Sequence, residues 1–199
     1  MPIPAQTEVK SVLADFHARL RVVIDRAWQE WLANPDKGKY VFLPRVRAVL
    51  VFDAIARHAL TEFEGDSNIR VLTKCNQTVH FLFADKVLVR FKKGNANGVG
   101  SNIQTQAVLD FIDPQGVIPG LVPEILKVEI CYTPDEIGLE LSEVAVVARA
   151  HQKRVWAYSL DRREPGAEIR PIPVRLPDPT PPRVIPRNPQ ADDETLNQE

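Results

Sequence analysis

Apolar residues recur at Val9, Val12, Leu13, Phe16, Leu20, Val23, Ile24, Ala27 and Trp31. Steps of three and four residues predict one amphipathic helix over residues 7–33. Thr7 is placed to cap its start, Asn34-Pro35 ends it, and Asp15, Arg19, Arg26 and Glu30 fall off the stripe. Such a helix is expected to cover a core, with part of its stripe open to a partner as the alternative. A turn at 35–39 leads to Pro44, which suits a first helical position. The second helix is expected over 44–63, with Val46, Val49, Leu50, Ala56, Ala59, Leu60 and Phe63 on its apolar side and Gly65 as its stop. A connection this short predicts an antiparallel pair.

After Gly65 the apolar period changes from 3.6 to two. Strands are predicted at 69–75, 78–83 and 86–92, with a tight hairpin at Ala84-Asp85, and again at 125–132, 141–150 and 154–160. In the third strand Val87, Val89 and Phe91 share one face, and Leu88 and Arg90 the other. Helices segregated from strands predict an α+β domain: two N-terminal helices packed on one face of a mainly antiparallel sheet of about six strands. The domain is expected over residues 1–160. Nine of the 17 prolines fall in 161–199, where no aromatic residue occurs. That composition predicts a flexible proline-rich tail. The proline run at 177–182 has the character of a ligand for an aromatic groove, and 169–176 is an alternative final strand.

Composition narrows the function classes. The chain carries 25 Lys+Arg against 26 Asp+Glu, so indiscriminate coating of nucleic acid is not expected, although a confined basic patch is compatible with the balance. The two cysteines, Cys75 and Cys131, lie in apolar strand-like stretches and read as reduced core thiols, with a single buried bridge as the alternative. The first residues lack a basic-then-apolar leader pattern, and no apolar run approaches the ~20 residues that a membrane-spanning helix needs. A cytoplasmic protein without a membrane partner is expected.

Several chemistries are excluded by motif. The chain has no phosphate-binding G-x-x-x-x-G-K-[ST] loop, no H-E-x-x-H or C-x-x-C pair and no G-x-S-x-G elbow. His17, His58, His80 and His151 are scattered, so neither a metal nor a cofactor is expected. Asp110, Asp113, Glu124, Lys127 and Glu129 lack the spacing of a metal-dependent nuclease and read as a solvated face. The ten residues between the helices are too many for a helix-turn-helix. Trp28, Trp31 and Trp156 read as packing residues, with Trp156 and Tyr158 on one face of the last strand.

One segment carries candidate chemistry. Arg90, Lys92 and Lys93 lead into a loop holding Asn95, Asn97, Gly98 and Gly100, followed by Ser101, Asn102 and Gln104 at the start of an expected helix, 102–112. Ser101 and Gln104 have the spacing of a capping box. Loose backbone N–H groups, a helix start and three cations are the ingredients for holding a phosphate or carboxylate. A strict dinucleotide fingerprint does not fit, because the surroundings do not read as a βαβ unit. Lys37, Lys39, Arg45 and Arg47 form a second basic group near the start of the second helix. Should the two groups lie side by side, they make one confined positive face.

The stretches Val87-Leu88-Val89-Arg90-Phe91-Lys92-Lys93-Gly94, Ser101-Asn102-Ile103-Gln104-Thr105-Gln106 and Trp156-Ala157-Tyr158-Ser159-Leu160 resemble an uncharacterised conserved family of bacterial and prophage proteins. The resemblance spans residues 69–160. It implies a setting in accessory operons beside helix-turn-helix regulators, toxin–antitoxin systems included, and carries no catalytic residues across. The leading expectation is therefore a non-enzymatic component of a regulatory, toxin–antitoxin or phage-defence operon that binds a protein partner encoded in the same operon, with self-association compatible. Two alternatives use the basic loop: a nucleic-acid-binding or RNA-cleaving toxin, with His80 moving protons if it faces the loop, and a sensor of a small anionic ligand.

Overall fold

A computed structural model describes residues 3–74, 78–95, 97–101, 106–113 and 124–161. Contacts divide the chain into the units Met1–Arg162 and Arg163–Glu199. The expectations for the proline-rich tail, for Cys75 and for the Ser101/Gln104 capping box fall wholly or partly outside the described residues.

The first apolar stripe folds as α1 (Gln6–Leu13), a 3₁₀ turn (Ala14–Phe16) and α2 (His17–Leu32). The tighter turn keeps Leu13, Phe16 and Leu20 on one buried line. Thr7 does not cap this helix: the N-cap is Ala5, which supplies no side-chain bond, and Thr7 sits inside the first turn. Asn34 accepts from Asp36 N–H at 2.9 Å and opens a short 3₁₀ turn (Pro35–Gly38). Helix α3 (Pro44–Glu62) begins on Pro44, and Gly65 follows it at φ +75°, a left-handed value that suits glycine. Ion pairs from Arg19 to Glu62 and Asp66, from Arg26 to Glu62, and from Glu30 to Arg57 fix α2 and α3 antiparallel.

The buried side of α3 differs from the sequence expectation. Val51, Ala54, Ile55, Ala59 and the following Phe63 enter the core, whereas Val49 is 65 % exposed and Leu50 and Leu60 are about two-fifths exposed. The helix is apolar on two sides, and periodicity alone does not decide which one meets the sheet. Contact with the sheet does: Phe63 packs edge-on against Phe81 and Phe83.

The six strands are β1 (Ile69–Lys74), β2 (Thr78–Phe83), β3 (Val87–Lys93), β4 (Leu126–Pro134), β5 (Leu141–Ala150) and β6 (Lys153–Ser159). They lie in sequence order in one sheet, antiparallel at every step except β3–β4, which is parallel. The expected hairpin is present: Ala84 and Asp85 take φ values of 47° and 53°, and Lys86 N–H donates to the Phe83 carbonyl. The parallel step matters most, because a parallel pair requires a crossover. Here the crossover contains α4 (Gln106–Ile112), so β3, the glycine–asparagine loop, α4 and β4 form the βαβ unit that the sequence pattern did not suggest. Helices α1–α3 cover one face of the sheet through Phe81, Phe83, Val87, Val89, Phe91, Val128, Ile130, Tyr132, Val144 and Val146. On the opposite face, Phe111 and Ile112 of α4 pack on Leu82, Leu88 and Ile125.

Candidate functional site: the loop after β3

The loop leaves β3 at the carboxyl end of a parallel strand, the place where open α/β sheets commonly hold ligands. Its floor is a charged cluster. Arg90 and Glu129 are direct partners in the β3–β4 register, and Arg149 of β5 reaches the same carboxylate. All three are buried, at 4 %, 0 % and 7 % exposure. Arg90 donates twice to Glu129 Oε1, through Nε at 3.0 Å and through Nη2. Arg149 Nη1 approaches Glu129 Oε2 at 3.3 Å, Nε donates to the His151 carbonyl and Nη2 to Gln152 Oε1. Glu129 was expected on a solvated face. It is instead the most enclosed charge described here, because two guanidiniums and a backbone donor replace its water. Burial alone would push its carboxyl up, but Arg90, Arg149 and the N–H of Gly100 hold it below the ordinary carboxylate range.

The loop closes over this cluster and is tied to it. Gly94 pairs with Gly100 across the loop mouth. Gly100 N–H donates to Glu129 Oε2 at 2.9 Å, and its carbonyl accepts from Arg149 Nη1 at 3.0 Å. A Cβ on Gly100 would lie 2.7 Å from both Glu129 Oε2 and the Cβ of Lys92, which explains a glycine there without any ligand. The N–H groups that seemed loose are occupied within the fold. Gly94 donates to Tyr132, Asn95 to Val99, Gly98 to Asn95 and Ser101 to Lys93, all to backbone carbonyls. Asn97 and Val99 donate to the Asn95 side chain. With Gly100, every described N–H from Gly94 to Ser101 has an acceptor, so this stretch presents no free cradle for an anion.

The three cations also diverge. Arg90 is held by Glu129, and its guanidinium stacks 3.9 Å from the centre of the Phe111 ring. Lys92 follows on the same face, half-buried, and its ammonium is disfavoured by burial and then by Arg90. Lys93 points to the other face, where burial and Arg47 lower its pKa. Of the second basic group, Arg47 lies near enough to the end of β3 to act on Lys93. The rest of that cluster is dispersed: Lys37 lies over Trp31, Lys39 pairs with Asp36, and Arg45 is exposed on α3.

His80 stacks on Phe111, and burial followed by repulsion from Arg90 and Lys92 lowers its pKa to about 4. It is neutral at pH 7 and a weak base, far from the near-neutral pKa of an efficient proton shuttle. Cys131, a free thiol, lies 3.9 Å from Glu129 Oε2; burial and that carboxylate push its pKa up, so it is not an activated nucleophile. Among the described residues, no group of three His, Cys, Asp or Glu is placed to hold a metal, and no helix is long and apolar enough to cross a membrane.

Sequence reading placed Glu129 on a solvated face and missed Arg149. A signal was present in both cases: each is a charge set directly against an apolar run, Val128-Glu129-Ile130-Cys131 and Val144-Ala145-Val146-Val147-Ala148-Arg149. Neither a protein-family model, nor a curated protein, nor a solved structure matches the chain.

Proposed function

We propose that this protein is a non-enzymatic component of a bacterial or prophage regulatory, toxin–antitoxin or phage-defence operon, acting in the cytoplasm by binding a protein partner. The operon setting rests on the sequence resemblance over residues 69–160. The observation that carries the binding reading is an exposed apolar patch around an unsatisfied arginine. Val41 is 99 % exposed, Ile137 75 %, Tyr40 65 %, Leu43 60 % and Leu139 55 %. Arg47 joins the two segments: its backbone N–H donates to the Leu43 carbonyl in the first turn of α3, and its Nη1 lies over Gly138, between Ile137 and Leu139. Its Nε is buried without an acceptor, and Arg47 has no ion-pair partner among the described residues. Exposed apolar groups around an arginine with a buried, unpaired Nε are the composition of a protein interface. The partner supplies apolar side chains and a carboxylate or carbonyl oxygen for Arg47. The occupied N–H groups and paired Arg90 of the β3 loop support this reading over the anion-binding alternatives.

The test is purification of the tagged chain from its own host, identification of a stoichiometric protein encoded beside it, and binding measurements on the reconstituted pair. Leu43→Asp and Arg47→Glu should each weaken binding at least ~10-fold, equivalent to about 1.4 kcal/mol. Absence of a neighbour-encoded partner, or indifference of its binding to both variants, refutes the proposal. Recovery of RNA or DNA that is lost with Lys92→Ala and Lys93→Ala would move the function to the β3 loop.

A further inference from the structure

The outward face of α3 repeats a pattern of its own. Val46, Val49, Asp53, Ala56 and Leu60 follow one another by three, four, three and four residues, the spacing of a helix-pairing seam. This line lies opposite Val51, Ala54, Ile55 and Ala59, which enter the core. Val49 and Leu60 are 65 % and 41 % exposed, and Asp53 stands in the middle, paired among the described residues only with Arg57 of its own helix at 3.2 Å. An outer apolar line on a helix already anchored by its inner one is unexplained by the fold of a single chain.

We infer that this seam pairs with the same seam of a second copy, antiparallel, to form a two-fold symmetric dimer. Charge selects this occupant. A parallel, in-register pair would oppose Asp53 to Asp53 of the other copy. Antiparallel pairing with Asp53 over the small Ala56 of the other copy also sets Val49 against Leu60, twice, and brings each Asp53 near the other copy's Arg57. The same register places exposed Arg45 opposite exposed Glu64, just past the helix end. Among the described residues neither Arg45 nor Glu64 has an ion-pair partner within its own chain. One register therefore matches apolar with apolar and positive with negative at both ends, as an isologous interface requires. Asp53 costs stability at a seam position but fixes register and orientation. The inference does not rest on the patch around Arg47, which lies on a different side of the helix.

Sedimentation equilibrium on the full-length protein tests it. The expected result is a reversible, concentration-dependent dimer that Val49→Glu and Leu60→Glu each convert to a monomer, with far-ultraviolet circular dichroism unchanged. Arg45→Glu and Glu64→Arg should each weaken the dimer several-fold, and the double variant should restore it, a rescue that holds even if a seam variant misfolds. A protein that is monomeric at every concentration overturns the inference. So does a dimer indifferent to the seam variants, or one in which the charge swap fails to rescue. Loss of partner binding by seam variants of a monomeric protein would assign the seam to the partner instead. None of these outcomes depends on whether Leu43 and Arg47 bind a partner, so the two proposals fail separately.

Discussion

Along β3, Val87, Val89 and Phe91 face the helices, and Leu88, Arg90 and Lys92 face α4 and the loop. Alternate residues of one strand thus serve two interiors of different kinds. The helix-covered side is mainly apolar, with edge-to-face contacts such as Phe16–Phe83 at 5.0 Å and Phe81–Phe91 at 5.8 Å. Each large side chain enclosed there contributes about 1.5–3 kcal/mol, and the loss of one contact is spread over its neighbours. The other side encloses a carboxylate and two guanidiniums whose desolvation is offset only while all three are present. Apolar packing degrades gradually, whereas a buried charge cluster fails as a unit.

That contrast is tested most severely by Glu129→Ala. It leaves Arg90 and Arg149 buried without a counter-charge and removes the acceptor of Gly100, so stability should fall by about 3–5 kcal/mol in urea unfolding. Replacing the cluster at once, as Arg90→Met, Glu129→Leu and Arg149→Met, should cost far less or even stabilise, because no unpaired charge remains. A triple variant as unstable as Glu129→Ala would mean that the cluster's hydrogen bonds to the loop, and not its charge balance, hold this face together.

Next in size is Gly100→Ala. The added methyl meets the Cβ and Cγ of Lys92 at 2.7 and 2.9 Å and Glu129 Oε2 at 2.7 Å, atoms held by a central strand. Overpacking of this kind costs about 1–3 kcal/mol. Gly98→Ala should cost less despite its φ of +65°, since the nearest atom is the Arg154 guanidinium, the far end of an exposed side chain. Equal costs would show that backbone conformation, and not the approach to the cluster, decides the glycines of this loop.

The two faces also differ in how far they were legible. The helix-facing side was readable in outline, because alternation in β3 and the three-four spacing of α1–α2 require only a list of apolar positions. The inner side of α3 was not, because Val49 and Leu60 are as apolar as Val51 and Ile55, and only the sheet chooses between them. On the opposite side, Arg90 was visible as a charge on a strand, but its partner is 39 residues away, across a crossover whose parallel direction no local pattern encodes. The glycines and asparagines after β3 read as an anion cradle because their N–H groups have no partner that sequence can name. Asn95 and Glu129 turn out to be two of those partners.

Acid should act on the charged face before the apolar one. The folded-state pKa of His80 is about 4, against 6.5 for the unfolded group, so between these values the unfolded chain binds more protons. Stability is then full above pH ~6.5 and declines as pH falls toward 4. Because His80 is partly exposed, the loss attributable to it is on the order of 1–2 kcal/mol. Glu129, held below its ordinary value, adds a further loss at still lower pH. His80→Gln should flatten the upper part of this decline in urea midpoints measured from pH 7 to 4. An unchanged slope would place the titrating group elsewhere, with His17 next, since burial and then Lys10 lower its pKa as well.

The smallest effect belongs to an ion pair on the rim of the charged face. Arg70 Nε lies 2.7 Å from Asp85 Oδ1, closer than Arg149 comes to Glu129, yet its two side chains are 57 % and 72 % exposed. Water and salt screen such a pair, and holding two long side chains in one geometry costs entropy, so Arg70→Ala should change stability by no more than about 0.5 kcal/mol. Asp85 should keep its left-handed backbone, because the turn is closed by Lys86 N–H and Phe83 C=O and not by the side chain. A loss as large as that of Glu129→Ala would imply that β1 depends on this pair for its register. A negligible one would separate geometry from energy: the shorter contact is the weaker, because desolvation and not distance sets what a charge pair is worth.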